Sequence, residues 1–260
     1  DAFGEYRDVY RFPPRQALPH DPTPAGVVVS EDGQVVVTRP GPPPGSLLRV
    51  GPDGAEDITP EQLGGTSDSE RPFTFNPASL AIGPDGLLYV ALQQHPYVRI
   101  YNLDGEFVSE WPETENQRDE GHTVTAVAAD DEDVYALVRS DIEGEEAATI
   151  KPLSDPEGET VVATFLPDAG EDDDAIAAGP VRFWMSEDAG ALLRAYVVDA
   201  VNGEFVSLQA SRRNGGDESW RREIDSFQER QISGITVTED GIVYLADQKN
   251  AEVLIYAPEG

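Results

Sequence analysis

The chain contains no cysteine, a single methionine and only two lysines, Lys151 and Lys249. Without thiols there can be no disulfide framework, no thiolate zinc site and no cysteine nucleophile, so stability has to come from apolar burial and strand pairing. Positive charge is scarce in general: 18 Lys plus Arg stand against 50 Asp plus Glu, a formal net charge of −32. Such an excess disfavours nucleic acid and anionic membranes as partners. No stretch approaches the roughly 18 apolar residues of a membrane-spanning helix, so the chain reads as soluble with no transmembrane segment. Nucleophile motifs are missing too, with no Gly-x-Ser-x-Gly, no Ser-x-x-Lys and no glycine loop to cradle a phosphate.

What is present is a regular apolar pattern. Hydrophobic residues make up 39% of the chain, spaced too evenly for an intrinsically disordered one. The acidic excess suits high salt, because at about 1 M the Debye length shrinks to about 3 Å and self-repulsion largely vanishes. The pattern resembles that of halophile proteins; an ordinary acidic exported protein is the alternative. The only methionine is Met185, so Asp1 is not a translation start. A processed, exported product (periplasmic, cell-surface or extracellular) is expected, with a fragment, or the cytoplasm of a salt-accumulating halophile, as alternatives.

One unit recurs: a short apolar stretch, an acidic turn and a second apolar stretch. It appears at Ala25 to Thr38, Ala78 to Leu92, Val124 to Val138, Val181 to Val198 and Ile232 to Ala246. Asp32-Gly33, Asp85-Gly86 and Asp240-Gly241 carry the dipeptide of a tight two-residue hairpin with positive φ at both turn positions. A second strand pair follows, as in Tyr97 to Asp104 and Glu106 to Trp111, where Val98 and Ile100 alternate with Tyr97, Arg99 and Tyr101. Each unit is therefore a four-stranded antiparallel meander. The fourth unit reads as Val181 to Asp188, Leu192 to Ala200, Glu204 to Arg213 and Ser219 to Phe227, although Asp217 to Gln231 also has helical charge pairing. The fifth supplies only three strands, and Tyr6 to Phe12 is the available fourth. The expected fold is all-β, a single β-propeller domain over residues 1–260. Five blades are counted, with six as the alternative, and an N-terminal strand joins the last blade. A β-sandwich would not produce this period.

The residues Asn76 to Ile82 with Pro84-Asp85-Gly86-Leu87-Leu88-Tyr89-Val90 resemble an NHL repeat, and Ile232 to Tyr256 is similar. The resemblance is good in units two and five, fair in one and three and poor in four, and it bears on fold rather than activity. Relatives of that kind usually have six blades. An enzyme among them would resemble metal-dependent lactonases or the lyase propellers, but neither catalytic set maps onto this chain.

Propeller topology sorts the loops into two sets. Loops between strands two and three, and between blades, share one face; this set holds His20, Arg39, Asn76, Gln93, Gln94, His95, His122, Arg139, Asp141, Asn202, Asp247, Lys249 and Asn250. All three histidines are there, and loops from every blade converge on that face, so it is the expected ligand or partner site. A metal site would take His20, His95 and His122 with Asp247, although no pair has a recognisable ligand spacing. The acidic runs Asp130 to Asp133 and Glu171 to Asp174 lack the alternation of a calcium loop and read as solvated loops. A second candidate is an arginine-rich outer edge, Arg212, Arg213, Arg221 and Arg222 with Trp220 as an apolar anchor, unless these arginines pair across strands with Asp217, Glu218 and Glu223. The expected function is a non-catalytic ligand- or protein-binding scaffold needing no cofactor; the alternative is a hydrolase or lyase with one divalent metal ion.

Overall fold

The structure is a computed structural model of the chain. It describes residues 26–30, 33–39, 45–51, 54–58, 76–92, 95–112, 122–142, 145–155, 160–165, 182–187, 193–199, 204–209, 217–224, 226–230, 232–237, 242–247, 249–250 and 252–256.

Among these residues the strands form five antiparallel sheets, four of four strands and one of three. Sheet one is β1 (Val27–Val29), β2 (Val35–Arg39), β3 (Ser46–Gly51) and β4 (Gly54–Ile58); sheet two is β5 (Pro77–Ile82), β6 (Leu88–Leu92), β7 (Val98–Tyr101) and β8 (Phe107–Trp111). Sheet three is β9 (Thr123–Ala129), β10 (Val134–Ile142), β11 (Glu145–Pro152) and β12 (Ala163–Phe165). Sheet four is β13 (Arg182–Glu187), β14 (Leu193–Asp199), β15 (Glu204–Gln209) and β16 (Asp217–Glu223), and sheet five is β17 (Ile232–Val237), β18 (Val243–Asp247) and β19 (Glu252–Tyr256). Every sheet runs in sequence order, and the first strands β5, β9, β13 and β17 approach one another in turn, with β1 against β5. This is the radial arrangement of a β-propeller.

The apolar alternation explains why the sheets stack. Odd and even strand positions point to opposite faces, and here both faces carry apolar residues, so each interior sheet buries one face on each neighbour. Val36, Leu47 and Ile58 of sheet one meet Leu80, Leu88, Val90 and Tyr101 of sheet two. The other face of sheet two, with Ala81, Tyr89, Ala91, Val98 and Trp111, meets Val124, Val127, Val134, Ala136 and Val138. Tyr135, Leu137 and Ile150 pack against Ala195, Val197 and Leu208, and Tyr196 and Val198 against Val237, Val243 and Leu245.

Polar links fix the sheets to each other. The Ser79 hydroxyl donates to the Val127 carbonyl at 3.3 Å and accepts from the Val127 amide at 3.2 Å, joining β5 to β9. Arg49 on β3 reaches Asp104 in the next sheet at 2.8 Å while also holding Glu56 at 2.6 Å. The Trp111 indole donates to the Asp155 carbonyl at 2.7 Å.

The turns at Gly33 and Gly86 differ from the expected two-residue form, and Asp240-Gly241 lies outside the described residues. Gly86 donates to the Gly83 carbonyl and Gly83 to the Leu87 carbonyl, and only Gly86 has positive φ, at 75°. This is a three-residue loop: a type I turn through Pro84 and Asp85, closed by a left-handed glycine. Pro84 suits it, since its fixed negative φ fits the second position of a type I turn. Ser30 to Gln34 and Asn102 to Glu106 close in the same way on Gly33 and Gly105. Asp217 to Gln231 is not one helix but strand β16 followed by a short 3-10 turn, Phe227–Glu229. The expected closing strand, Tyr6 to Phe12, lies outside the described residues.

Candidate functional site

In each sheet the second and third strands are joined on the side from which the first strand begins, so these loops and the connections between sheets share one face. Arg39 ends β2 opposite Ser46, a residue only 3% exposed. Asn76 immediately precedes β5 and His122 immediately precedes β9, and both are half-buried. Arg139 lies within β10, opposite Thr123 and Ala148, and Asp141 lies opposite Glu146. His20, Gln93, Gln94 and Asn202 lie outside the described residues.

His95 is placed by its backbone. Its amide donates to the Leu92 carbonyl at 3.3 Å, and its carbonyl accepts from the Val124 amide of the next sheet at 2.9 Å. That bond brings the β6–β7 loop to the chain just after His122, so two of the three histidines come from neighbouring segments. The His95 ring tilts at 42° to Tyr97 with centroids 5.0 Å apart. Tyr97 then lies 5.8 Å below the Arg99 guanidinium, which also covers Phe107 at 5.5 Å. Arg99 is nearly buried and its Nε lies 2.8 Å from Glu110 Oε1, so this cation–π ladder carries its own counter-charge.

The second cluster is on sheet five. Asp247 is 2% exposed, yet its carboxylate is fully engaged. Oδ1 accepts from the amides of Lys249 at 3.1 Å and Asn250 at 3.3 Å, while Oδ2 accepts from Asn250 Nδ2 at 2.8 Å and Arg230 at 2.9 Å. Asn250 Nδ2 also donates to the Glu229 carbonyl at 3.1 Å, and Arg230 reaches Glu252 at 3.2 Å. The Asp247 hydrogen bond is the main reason the Arg230 pKa rises further above its ordinary value. Asp247 thus shapes its loop from within. As a metal ligand it does not fit, since a divalent ion would have to displace a guanidinium and three amide hydrogens. Among the described residues no three His, Asp or Glu side chains gather as a metal-binding group.

Arg230, the charged partner of Asp247, is a residue to which the sequence alone gives no pointer. Its partner lies 17 residues further on, and no local pattern announces the pair. Of the outer-edge residues, Trp220, Arg221 and Arg222 lie on β16, the outermost strand of sheet four, opposite Ser207, Val206 and Phe205. The expected cross-strand partners Asp217, Glu218 and Glu223 lie on that same strand, so they do not stand opposite the arginines. Arg212 and Arg213 lie outside the described residues.

The acidic run at Asp130 is likewise spent on structure. Asp130 Oδ1 accepts from the amides of Glu132 and Asp133, both at 2.8 Å, and its Oδ2 accepts from the Tyr135 hydroxyl at 2.9 Å. Asp85 and Tyr89 repeat the device in sheet two at 2.8 Å. Burial, reinforced by this bond, pushes the Tyr89 phenol well above its usual pKa, and burial does the same at Tyr101.

No family model matches the chain, and no curated protein does either. Solved structures do resemble it. Virginiamycin B lyase from Staphylococcus aureus aligns over 90% of this chain and 69% of its own, with 14% identity and a TM-score of 0.53. A protein from Lactobacillus plantarum aligns over 90% and 67%, at 12% identity and a TM-score of 0.58. YCF48 bound to a D1 peptide aligns over 94% and 66%, at 10% identity and a TM-score of 0.53. The chain thus spans about two thirds of the length of each. At these identities the likeness concerns architecture alone, and that architecture is the β-propeller.

Proposed function

We propose that the chain is a non-catalytic binding or scaffold propeller that holds a protein or peptide partner on the face carrying His95, His122 and Asn250. The reading includes five blades of NHL-like pattern, export, and a salt-adapted microbial source; residence in a salt-accumulating cytoplasm is the alternative. The observation that carries it is the construction of the loops. Asp247 organises one from within, and a backbone bond to the next sheet fixes another at His95, so half-buried His95 and His122 and exposed Asn250 stand on pre-set loops, which lowers the ordering cost of binding. A propeller-like neighbour bound to a peptide supports the partner class. The outer edge with Arg212, Arg213, Trp220, Arg221 and Arg222 is the second docking candidate, because its strand is outermost in its sheet.

The test is affinity capture at high salt with three proteins: the unaltered chain, a His95→Ala/His122→Ala/Asn250→Ala face variant, and an Arg221→Ala/Arg222→Ala edge variant. Loss of the same partner with the face variant alone is expected. Equal capture by all three refutes the face, and loss only with the edge variant moves the site to β16. Metal analysis of protein purified without chelator separates the rival reading, a metal-dependent hydrolase or lyase. Stoichiometric metal lost on replacing His95 and His122 would favour that rival.

A further inference from the structure

Large apolar side chains stand exposed at three places among the described residues. Two are on the end sheets, with Val27 and Val29 on β1 and Val253 and Ile255 on β19. The third lies within the series: Phe107 and Val108, 45% and 50% exposed, on β8, the outermost strand of sheet two. An outer strand is normally guarded by charge, as β4 is by exposed Glu56 and Asp57. β8 instead carries two apolar residues, and its register accounts for their exposure. Ile100 pairs with Ser109 and Tyr101 with Phe107, so Val108 is an extra residue at a β-bulge, a device that re-aims a side chain.

The surroundings select an occupant. Phe107 is held from within: Tyr101 meets it edge-on with centroids 5.9 Å apart, and the Arg99 guanidinium stands over the ring at 5.5 Å. Glu110, 2.8 Å from Arg99, neutralises that cation. The ring thus already accepts one guanidinium, and its exposed part is open to another. Around it the charge is one-sided. Asp104 and Glu106 in the adjoining turn, like Glu56 and Asp57 on β4, are exposed carboxylates. Arg49 holds Glu56 and Asp104 on a single guanidinium, so the two groups adjoin across the seam between sheets one and two. We propose that this patch docks a basic segment of a partner protein, with an arginine or lysine on the open part of the Phe107 ring, an apolar side chain on Val108, and further basic residues along Glu56, Asp104 and Glu106. The bulge blunts the strand edge, so recognition runs through side chains rather than through an added strand. The site is separate from the loop face, because the β6–β7 loop and the β7–β8 turn lie at opposite ends of β7. It holds whether or not the loop face binds a partner.

The probe is a blocked peptide, Arg-Leu-Arg-Gly-Arg-Leu-Arg, titrated into the full chain in about 1 M salt. There the Debye length is about 3 Å, so general attraction to a chain of net charge −32 is screened and contact remains. Amide NMR shifts are expected to move at residues 104–110 and 54–58 and to stay in place at His95, Val124 and Asn250. Val108→Ser, at an already exposed position, should weaken binding about three- to tenfold. Phe107→Leu, which keeps an apolar group against Tyr101, should weaken it about two- to fivefold, the size of an exposed cation–π contact. The His95→Ala/His122→Ala/Asn250→Ala variant should bind as the unaltered chain does, and the same peptide with glutamate for arginine should not bind. No shifts at millimolar peptide, shifts centred on the loop face, or unchanged affinity in both β8 variants would overturn the proposal. Self-association of the unaltered chain that disappears in Val108→Ser would assign the patch to a second copy and overturn it as well.

Discussion

Gly105 tests the contact between sheets one and two. It has φ of 85°, and a methyl group added there would stand 2.5 Å from Ile58 Cγ2, on a side chain only 2% exposed. Two costs therefore add in Gly105→Ala: about 1–2 kcal/mol for an L residue in the left-handed region and about 1–3 kcal/mol for overpacking a filled core. At about 2–4 °C per kcal/mol for a domain near this size, the melting temperature should fall by about 4–20 °C in high salt, followed by circular dichroism. Gly86→Ala is the control, because it shares the positive φ, here 75°, but has nothing within 4 Å of the added methyl. It should fall by only about 2–8 °C, reflecting the backbone cost alone. A double-mutant cycle with Ile58→Ala isolates the clash, since Gly105→Ala in that background should cost no more than Gly86→Ala does. Equal losses at both glycines in the unaltered background, or no coupling to Ile58, would refute the packing argument.

Three further outcomes are expected. Tyr89 and Tyr101 hold folded-state pKa values above the unfolded value of about 10, so their contribution is complete below pH 10 and lost above it. Unfolding free energy should then drop by about 1.4 kcal/mol per pH unit per phenol above pH 10, and ultraviolet titration should show both ionising only as the chain unfolds; early ionisation of every tyrosine would refute this. Asp247→Ala should cost about 2–4 kcal/mol in urea unfolding because four donors lose their acceptor, and Asp247→Asn should cost less. Thermal stability should climb steeply between about 0.1 M and 1 M salt as repulsion among the carboxylates is screened; a flat response would remove the support for salt adaptation.

The repeat was legible because its signals are local: alternation at Val98 and Ile100, Asp-Gly turns, and apolar stretches at nearly even spacing. Strand order and the three-stranded last sheet followed from them. The turn type was not legible because Asp-Gly serves both two- and three-residue hairpins, and the same three-residue closure forms with Pro84 in one loop and with no proline at Asn102 to Glu106. Links across sheets left no local trace. Arg49 finds Asp104, 55 residues away, and Ser79 finds Val127. At the candidate site, topology put Asp247 and Asn250 at the β18–β19 connection, but the role of Asp247 in that loop depends on Arg230 arriving from the preceding connection, which only the fold brings about.

Because the Ser79 hydroxyl both donates to the carbonyl and accepts from the amide of Val127, it behaves as a rivet between the first strands of sheets two and three. Sliding one sheet past the other along β5 would break both bonds at once. The Trp111 indole, bonded to the Asp155 carbonyl, pins the same pair of sheets at the outer strand β8, so the joint is held at both ends of the sheet and resists fanning as well as sliding.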